Sequence, residues 1–226
     1  MAIPAIEPYP VPGASELPRS CVPWKPAATR CALLIHDMQR YYLEAFTSDA
    51  PPLVDLIANI VMLRRRCSAL AIPVFYSVQP GAQDNAERGL LRDFWGAGMG
   101  TGVETGVVED LAPGEHDTIV WKRRYSAFHR TALLEGIRKH RRDQILICGV
   151  YAHIGCLATA LDAFANDVQP FMVADAMAAF SAADHTMALE VAARCCAAIT
   201  TSRQVVEALR SPLNDTAALK TPSFST

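Results

Sequence analysis

The sequence predicts an α/β protein, a three-layer α/β/α sandwich built on a mainly parallel sheet of six strands. Short runs that are apolar throughout alternate with longer stretches whose apolar residues recur every three or four positions. Strands that are apolar on both faces belong in a sheet covered by helices on both sides, the setting in which parallel strands occur. Size is the third observation: 226 residues, 51% hydrophobic and 19% charged, suit one globular domain with a substantial core.

Residues 1–30 carry prolines at 4, 8, 10, 12, 18, 23 and 26. Proline fixes φ and withholds an N–H, so this stretch is expected as an extended arm wrapping the domain or a neighbouring subunit. The run 31–36 is the first strand. Leu53, Leu56, Ile57, Ile60, Leu63 and Leu70 then form one helical stripe. Further strands are expected at 72–78, 118–121, 144–150, 171–174 and 197–200. Helices are expected at 107–111, 131–140, 154–165, 183–194 and 203–209. The domain should therefore span 1–210, and 211–226, rich in Ser, Thr and Pro without an apolar period, should form a flexible tail. Residues 79–105 show no strong period and are long for a connection, a mark of a segment that faces ligand.

Charge and composition exclude several function classes. With 21 basic and 23 acidic residues the formal charge is −2, too little field to recruit nucleic acid or an anionic membrane, so a small molecule is the expected partner. The opening Met-Ala-Ile-Pro lacks the basic start and apolar run of a secretory signal, and no segment has membrane-helix length; a cytoplasmic location is expected. Seven cysteines, an odd set without a Cys-x-x-Cys pair, read as buried reduced thiols. The six histidines lack ligand spacing, so no metal is expected. The glycines at 96, 98, 100, 102 and 106 follow no strand and carry no Gly-Lys-Ser/Thr, so no nucleotide or other cofactor is expected.

In an open parallel sheet, ligands bind beyond the C-terminal strand ends. Those ends are His36-Asp37, Gln79, Lys122 and the turn Tyr151-Ala152-His153-Ile154-Gly155-Cys156. One carboxylate, one ammonium and a glycine-flanked turn would converge at one mouth. Each has an ordinary structural reading as well. An Asp after a strand commonly caps a helix, Lys122 and Arg88 can be solvated charges, and His36 and His153 can be hydrogen-bonded core imidazoles. Trp95, Phe94 and Tyr151 are core or interface aromatics by default, and Cys156 is as readily an inert buried thiol as one activated at a helix start.

Three segments change the balance. Ala32-Leu-Leu-Ile-His-Asp-Met-Gln39, Arg124-Tyr-Ser-Ala-Phe128 and Gly149-Val-Tyr-Ala-His-Ile-Gly-Cys156 resemble the characteristic blocks of the isochorismatase family, and similar blocks run from about Met1 to Leu209. The resemblance implies an isochorismatase-like fold and hydrolysis of the enolpyruvyl ether of an isochorismate-type acid, releasing pyruvate. It implies Asp37 as general acid, Lys122 as its partner and Gly155 as a bare floor that leaves room and offers its N–H. Gln79, Arg88, Trp95 and Tyr151 would line the pocket, with Arg88 facing a substrate carboxylate. It also implies a cis peptide at Val150-Tyr151, self-association, most simply as a dimer, and a chorismate-derived small-molecule substrate. The segments 88–96, 166–171 and 187–190 lean toward phenazine-pathway members acting on 2-amino-2-deoxyisochorismate rather than toward siderophore-pathway members acting on isochorismate.

The broader superfamily includes nicotinamidase-like amidases with an Asp, a Lys and a nucleophilic Cys. Here the nucleophile position falls on Gly155, with Cys156 one place along. One step along an α-helix turns a side chain by about 100°, so Cys156 is not expected to substitute. The alternatives are such an amidase recruiting Cys156, or a non-catalytic docking partner for a carrier protein. Arg123 stands where the family usually has Trp, and the absence of an aryl carrier domain points to a stand-alone enzyme.

Overall fold

The computed structural model describes residues 3–210; Met1, Ala2 and the tail expected at 211–226 lie outside the described residues. Six strands form one sheet: β1 Cys31–His36, β2 Val74–Val78, β3 Thr118–Trp121, β4 Gln144–Val150, β5 Gln169–Ala178 and β6 Ala198–Thr200. Their order is β3-β2-β1-β4-β5-β6, and every pairing is parallel. The helices are α1 Arg40–Leu43, α2 Leu53–Ala69, α3 Asn85–Arg88, α4 Leu91–Trp95, α5 Leu133–Lys139, α6 Leu157–Ala165, α7 Ala182–Cys195 and α8 Ser202–Ala208. No helix among the described residues is long and apolar enough to cross a membrane.

The continuous apolar strands sort by the period of two into separate cores. Cys31, Leu33 and Ile35 of β1, with Leu146 and Cys148 of β4, face Leu56, Ile60 and Leu63 of α2 and Val205 of α8. Ala32 and Leu34, with Ile145 and Ile147, face Leu133 and Ile137 of α5 and the alanines of α6 and α7. Alternate side chains of one strand therefore serve both layers, and no face of β1 or β4 is left to water. Truncating a fully buried member such as Leu33 to Ala costs about 2–5 kcal/mol, lost transfer energy plus a cavity. Ser181 caps α7 by accepting from Asp184 N at 3.1 Å, and Thr201 with Gln204 forms a capping box on α8.

Within the described residues, the arm, 3–30, wraps its own domain. Ile6 bridges to Phe46, the Tyr9 hydroxyl accepts from Ala179 N at 2.7 Å, and Ser20 Oγ accepts from Ile199 N at 2.8 Å.

Three expectations need correction. The helix expected at 107–111 is only a 3-10 turn at Glu109–Leu111; Val107 instead bridges Gln39. The helix expected from 154 opens as a π-turn, Ala152–Cys156, before α6 begins. The strand expected from 72 starts at Val74, after a proline that has no N–H to give the ladder. The stretch 79–105 holds two helices of about one turn, α3 and α4, separated by Gly89 at φ 51°.

Candidate active site

Strand β1 delivers Asp37 immediately past its last residue, where the backbone turns to φ 51°. A left-handed conformation costs a non-glycine residue roughly 1–3 kcal/mol and marks a position held by its surroundings. The Asp37 N–H still bonds to Ser77 O at 3.0 Å, and Ser77 Oγ donates to Asp37 Oδ1 at 3.3 Å. Strand β3 delivers Lys122 on the far side of β2. Its ammonium reaches across the strand ends to Asp37 Oδ2 at 2.6 Å and donates to Arg124 O at 3.0 Å. Both side chains are almost wholly removed from water, at 7% and 1% exposure. A buried pair of this kind is costly to desolvate and is compensated here by hydrogen bonds at both ends.

The pair lies in a cleft that Gln79, Arg88, Trp95, Tyr151 and Gly155 also line. All seven residues expected at the site therefore meet there. Gln39, fully buried, fixes the β2 end: its Nε2 donates to Gln79 O at 2.9 Å and to Thr105 O at 2.7 Å, while Gln79 N donates to its Oε1 at 2.8 Å. Arg88, 5% exposed, donates to Gly96 O at 3.1 Å and Gln79 Oε1 at 3.3 Å and has no salt bridge among the described residues. A buried guanidinium held only by neutral acceptors is set for an anion. Trp95 Nε1 donates to the Tyr125 hydroxyl at 2.8 Å. The Tyr151 hydroxyl donates to Tyr42 O at 2.6 Å, so this residue offers the cleft its ring, packed on Phe180 with centroids 4.6 Å apart. Burial pushes the Tyr42 and Tyr151 hydroxyls up, which keeps both neutral. The peptide Val150-Tyr151 is cis.

Gly155 lies in the π-turn, and its carbonyl accepts from Thr159 Oγ1 at 2.7 Å. Cys156 is fully buried on the α6 side of the sheet and does not line the cleft. Burial pushes its thiol up, Asp37 adds to that, and Lys122 opposes it. The 100° rotation of an α-helix does not apply in a π-turn, yet the thiol is kept from the cleft all the same. His36 is the core imidazole that its ordinary reading anticipates. Burial lowers its pKa against Asp37, and its ring sits between Val150 O, 2.8 Å from Nδ1, and Tyr125 O, 3.2 Å from Nε2. Arg123 is on the outer surface, paired with Glu87 at 2.9 Å, so it does not alter the polarity of the cleft. Among the described residues no group of three or more His, Cys, Asp or Glu side chains could hold a metal ion.

Ile3, Tyr41, Tyr42, Tyr125 and Phe180 line the same cleft and were not singled out from sequence. Tyr125 falls inside a characteristic block and Ile3 inside the opening Ala-Ile-Pro that also resembles the family, which were the available signals; Phe180 offered none, because the β5 end reaches the mouth only through long-range packing.

The isochorismatase domain family model matches residues 31–204. The chain is 52% identical to the isochorismatase of Bacillus subtilis over 87% of its own length, and spans 64% of that relative, slightly under two thirds. It is 47% identical to the phenazine biosynthesis protein PhzD1 of Pseudomonas aeruginosa, covering 91% of this chain and 99% of that one. Among solved structures, a cysteine hydrolase from Pseudomonas syringae superposes with a TM-score of 0.75 at 25% identity, covering 85% of this chain and 97% of the other. The Asp37–Lys122 cleft sits inside the matched region, and the chain belongs to the isochorismatase family.

Proposed function

We propose that the chain hydrolyses the enolpyruvyl ether of an isochorismate-type acid, with Asp37 as general acid. The observation that carries this reading is a carboxyl group held against Lys122 in a cleft whose remaining floor, Gly155, has no side chain to act as a nucleophile. An enol ether needs none. The Asp37 proton adds to the terminal methylene carbon and the ether oxygen stabilises the resulting oxocarbenium ion. Water adds to the oxocarbenium carbon, the one that bears the ether oxygen, and loses a proton to the Asp37 carboxylate; the hemiketal then collapses to pyruvate and the ring alcohol, its hydroxyl proton passing to the departing ring oxygen. Such proton transfer contributes about 10²–10⁴-fold. Lys122 orients the carboxyl and meets the enolpyruvyl carboxylate, and Arg88 takes the ring carboxylate through its planar fork. The step requires the Asp37 carboxyl to carry its proton when substrate is bound.

The two relatives bear the names of an isochorismatase and a phenazine biosynthesis protein, at similar identity. They support a chorismate-derived substrate without favouring hydroxyl over amine at the ring carbon that distinguishes isochorismate from its 2-amino-2-deoxy analogue. Amide hydrolysis through Cys156 is disfavoured by that thiol's burial away from the cleft. The proposal extends to a reducing, cytoplasmic setting, consistent with seven free cysteines. It extends also to a dimer, for which the exposed apolar residues Leu161 and Phe164 on α6 and Met187 and Val191 on α7 offer a face.

Isotopes test the chemistry. In D₂O the pyruvate methyl should gain one deuterium, and in H₂¹⁸O the ring alcohol should keep its unlabelled oxygen. Label in the ring alcohol would place bond cleavage on the ring side and overturn the mechanism.

A further inference from the structure

A Cβ built on Gly155 falls inside van der Waals contact of His36 Cε1, with Nε2 3.0 Å and Nδ1 3.1 Å away. Such a clash is cheap when the neighbour is the free end of a mobile chain. His36 is the opposite case. Its ring is fully buried, begins on a central strand, and is wedged between Val150 O, 2.8 Å from Nδ1, and Tyr125 O, 3.2 Å from Nε2, to one of which the neutral ring donates. Val150 ends β4 directly before Tyr151, and Tyr125 lies three residues past Lys122.

From this geometry we propose that His36 reserves the cleft floor for glycine: it is the residue that bars any side chain, and so any thiol, at position 155. Moving the ring to admit a side chain would break its hydrogen bond and disturb the packing at the end of β4 and at Tyr125, so a nucleophile cannot be installed at 155 by one substitution. His36 acts through Gly155 and is a positioning residue, with no contact to substrate assigned to it. The inference rests on the site described above, but it concerns packing that can be measured without substrate.

The test is a double-mutant cycle of wild type, Gly155→Ala, His36→Val and the double variant, read by thermal unfolding. Valine keeps the strand preference while removing the ring. Gly155→Ala should lower Tm by about 4 °C or more in the wild-type background, the range expected for overpacking a tight core in a chain of this size. In the His36→Val background the same change should cost about 1 °C or less. A merely structural histidine would give additive losses, and additivity overturns the proposal. The second readout is reactivity. In Gly155→Cys/His36→Val the introduced thiol should displace iodide from iodoacetamide, forming a carbon–sulfur bond, at least ~10-fold faster than in Gly155→Cys alone, with peptide mapping separating it from Cys156. Equal rates would contradict the inference. Should His36→Val fail to fold, Gly155→Ala alone decides: an unchanged Tm means no clash and overturns it. Failure to hydrolyse any enol ether would instead sink the proposed function and leave this cycle untouched.

Discussion

Replacing Lys122 by Met removes the ammonium and keeps the length of the side chain. The structure sets the scale of the loss. The ammonium lies 2.6 Å from Asp37 Oδ2, and the two side chains are 1% and 7% exposed. Ser77 Oγ at 3.3 Å is the other side-chain hydrogen-bond donor to the Asp37 carboxylate. Breaking one partner of a buried pair costs about 3–5 kcal/mol, because the other charge stays behind without compensation. For a chain of this size each kcal/mol moves Tm by about 2–4 °C, so Lys122→Met should melt roughly 6–20 °C below wild type. The double variant Asp37→Asn/Lys122→Met removes both charges and should recover part of that loss, although it carries two substitutions. The assay is thermal unfolding followed by circular dichroism at neutral pH, with urea unfolding as the equilibrium check. A Lys122→Met protein within 2 °C of wild type, or a double variant less stable than the sum of its parts, would refute the claim that these groups form a desolvated pair.

Three further outcomes follow from other parts of the molecule. Burial lowers His185 from 6.5 to about 4, so the unfolded chain binds its proton first as the medium is acidified; the stability His185 contributes is whole above about pH 6.5 and is lost as pH falls toward 4. That gap corresponds to about 3 kcal/mol, and urea unfolding of His185→Gln between pH 7.5 and 4.5 should show an acid loss smaller by up to that amount, the remainder coming from groups such as His36 and His153, which burial also lowers. Arg88→Met should raise KM by about 10–100-fold, the worth of a lost charge-assisted hydrogen bond to a carboxylate, and an unchanged KM in steady-state assays would remove Arg88 from substrate binding. Ile3, on the cleft wall, should tolerate Asp without unfolding, yet the added negative charge should raise KM for a dianionic substrate by about tenfold; equal KM values would show that the arm does not border the bound ligand.

The six strands were legible because β1, β2 and β4 are buried on both faces, and a run such as Cys-Ala-Leu-Leu-Ile-His has no polar side to disguise it. The convergence of Asp37 and Lys122 was legible for a different reason: parallel topology brings strand ends together even when, as here, β2 stands between them. Helices α3 and α4 were not, since one turn is too short to display a period of 3.6, and the cue that remains is the Asp84 cap bonding Glu87 N at 2.8 Å. The place of Ile3 on the cleft wall was hidden because it depends on an arm whose anchors, Tyr9 on Ala179 and Ile6 beside Phe46, lie far apart in sequence. Of the π-turn at Ala152–Cys156, the part from Ile154 onward was read as ordinary helix, because its residues carry no composition that separates the two.

The central claim is that a single carboxyl group, Asp37, supplies the proton that breaks the ether. The most direct measurement is the rate of pyruvate release from isochorismate and from 2-amino-2-deoxyisochorismate by wild type, Asp37→Asn and Cys156→Ala in chelator-treated buffer. The account predicts turnover by wild type and Cys156→Ala, with kcat for Asp37→Asn lower by about 10² or more. Asp37→Asn turning over within tenfold of wild type, or activity that disappears with Cys156, would contradict it.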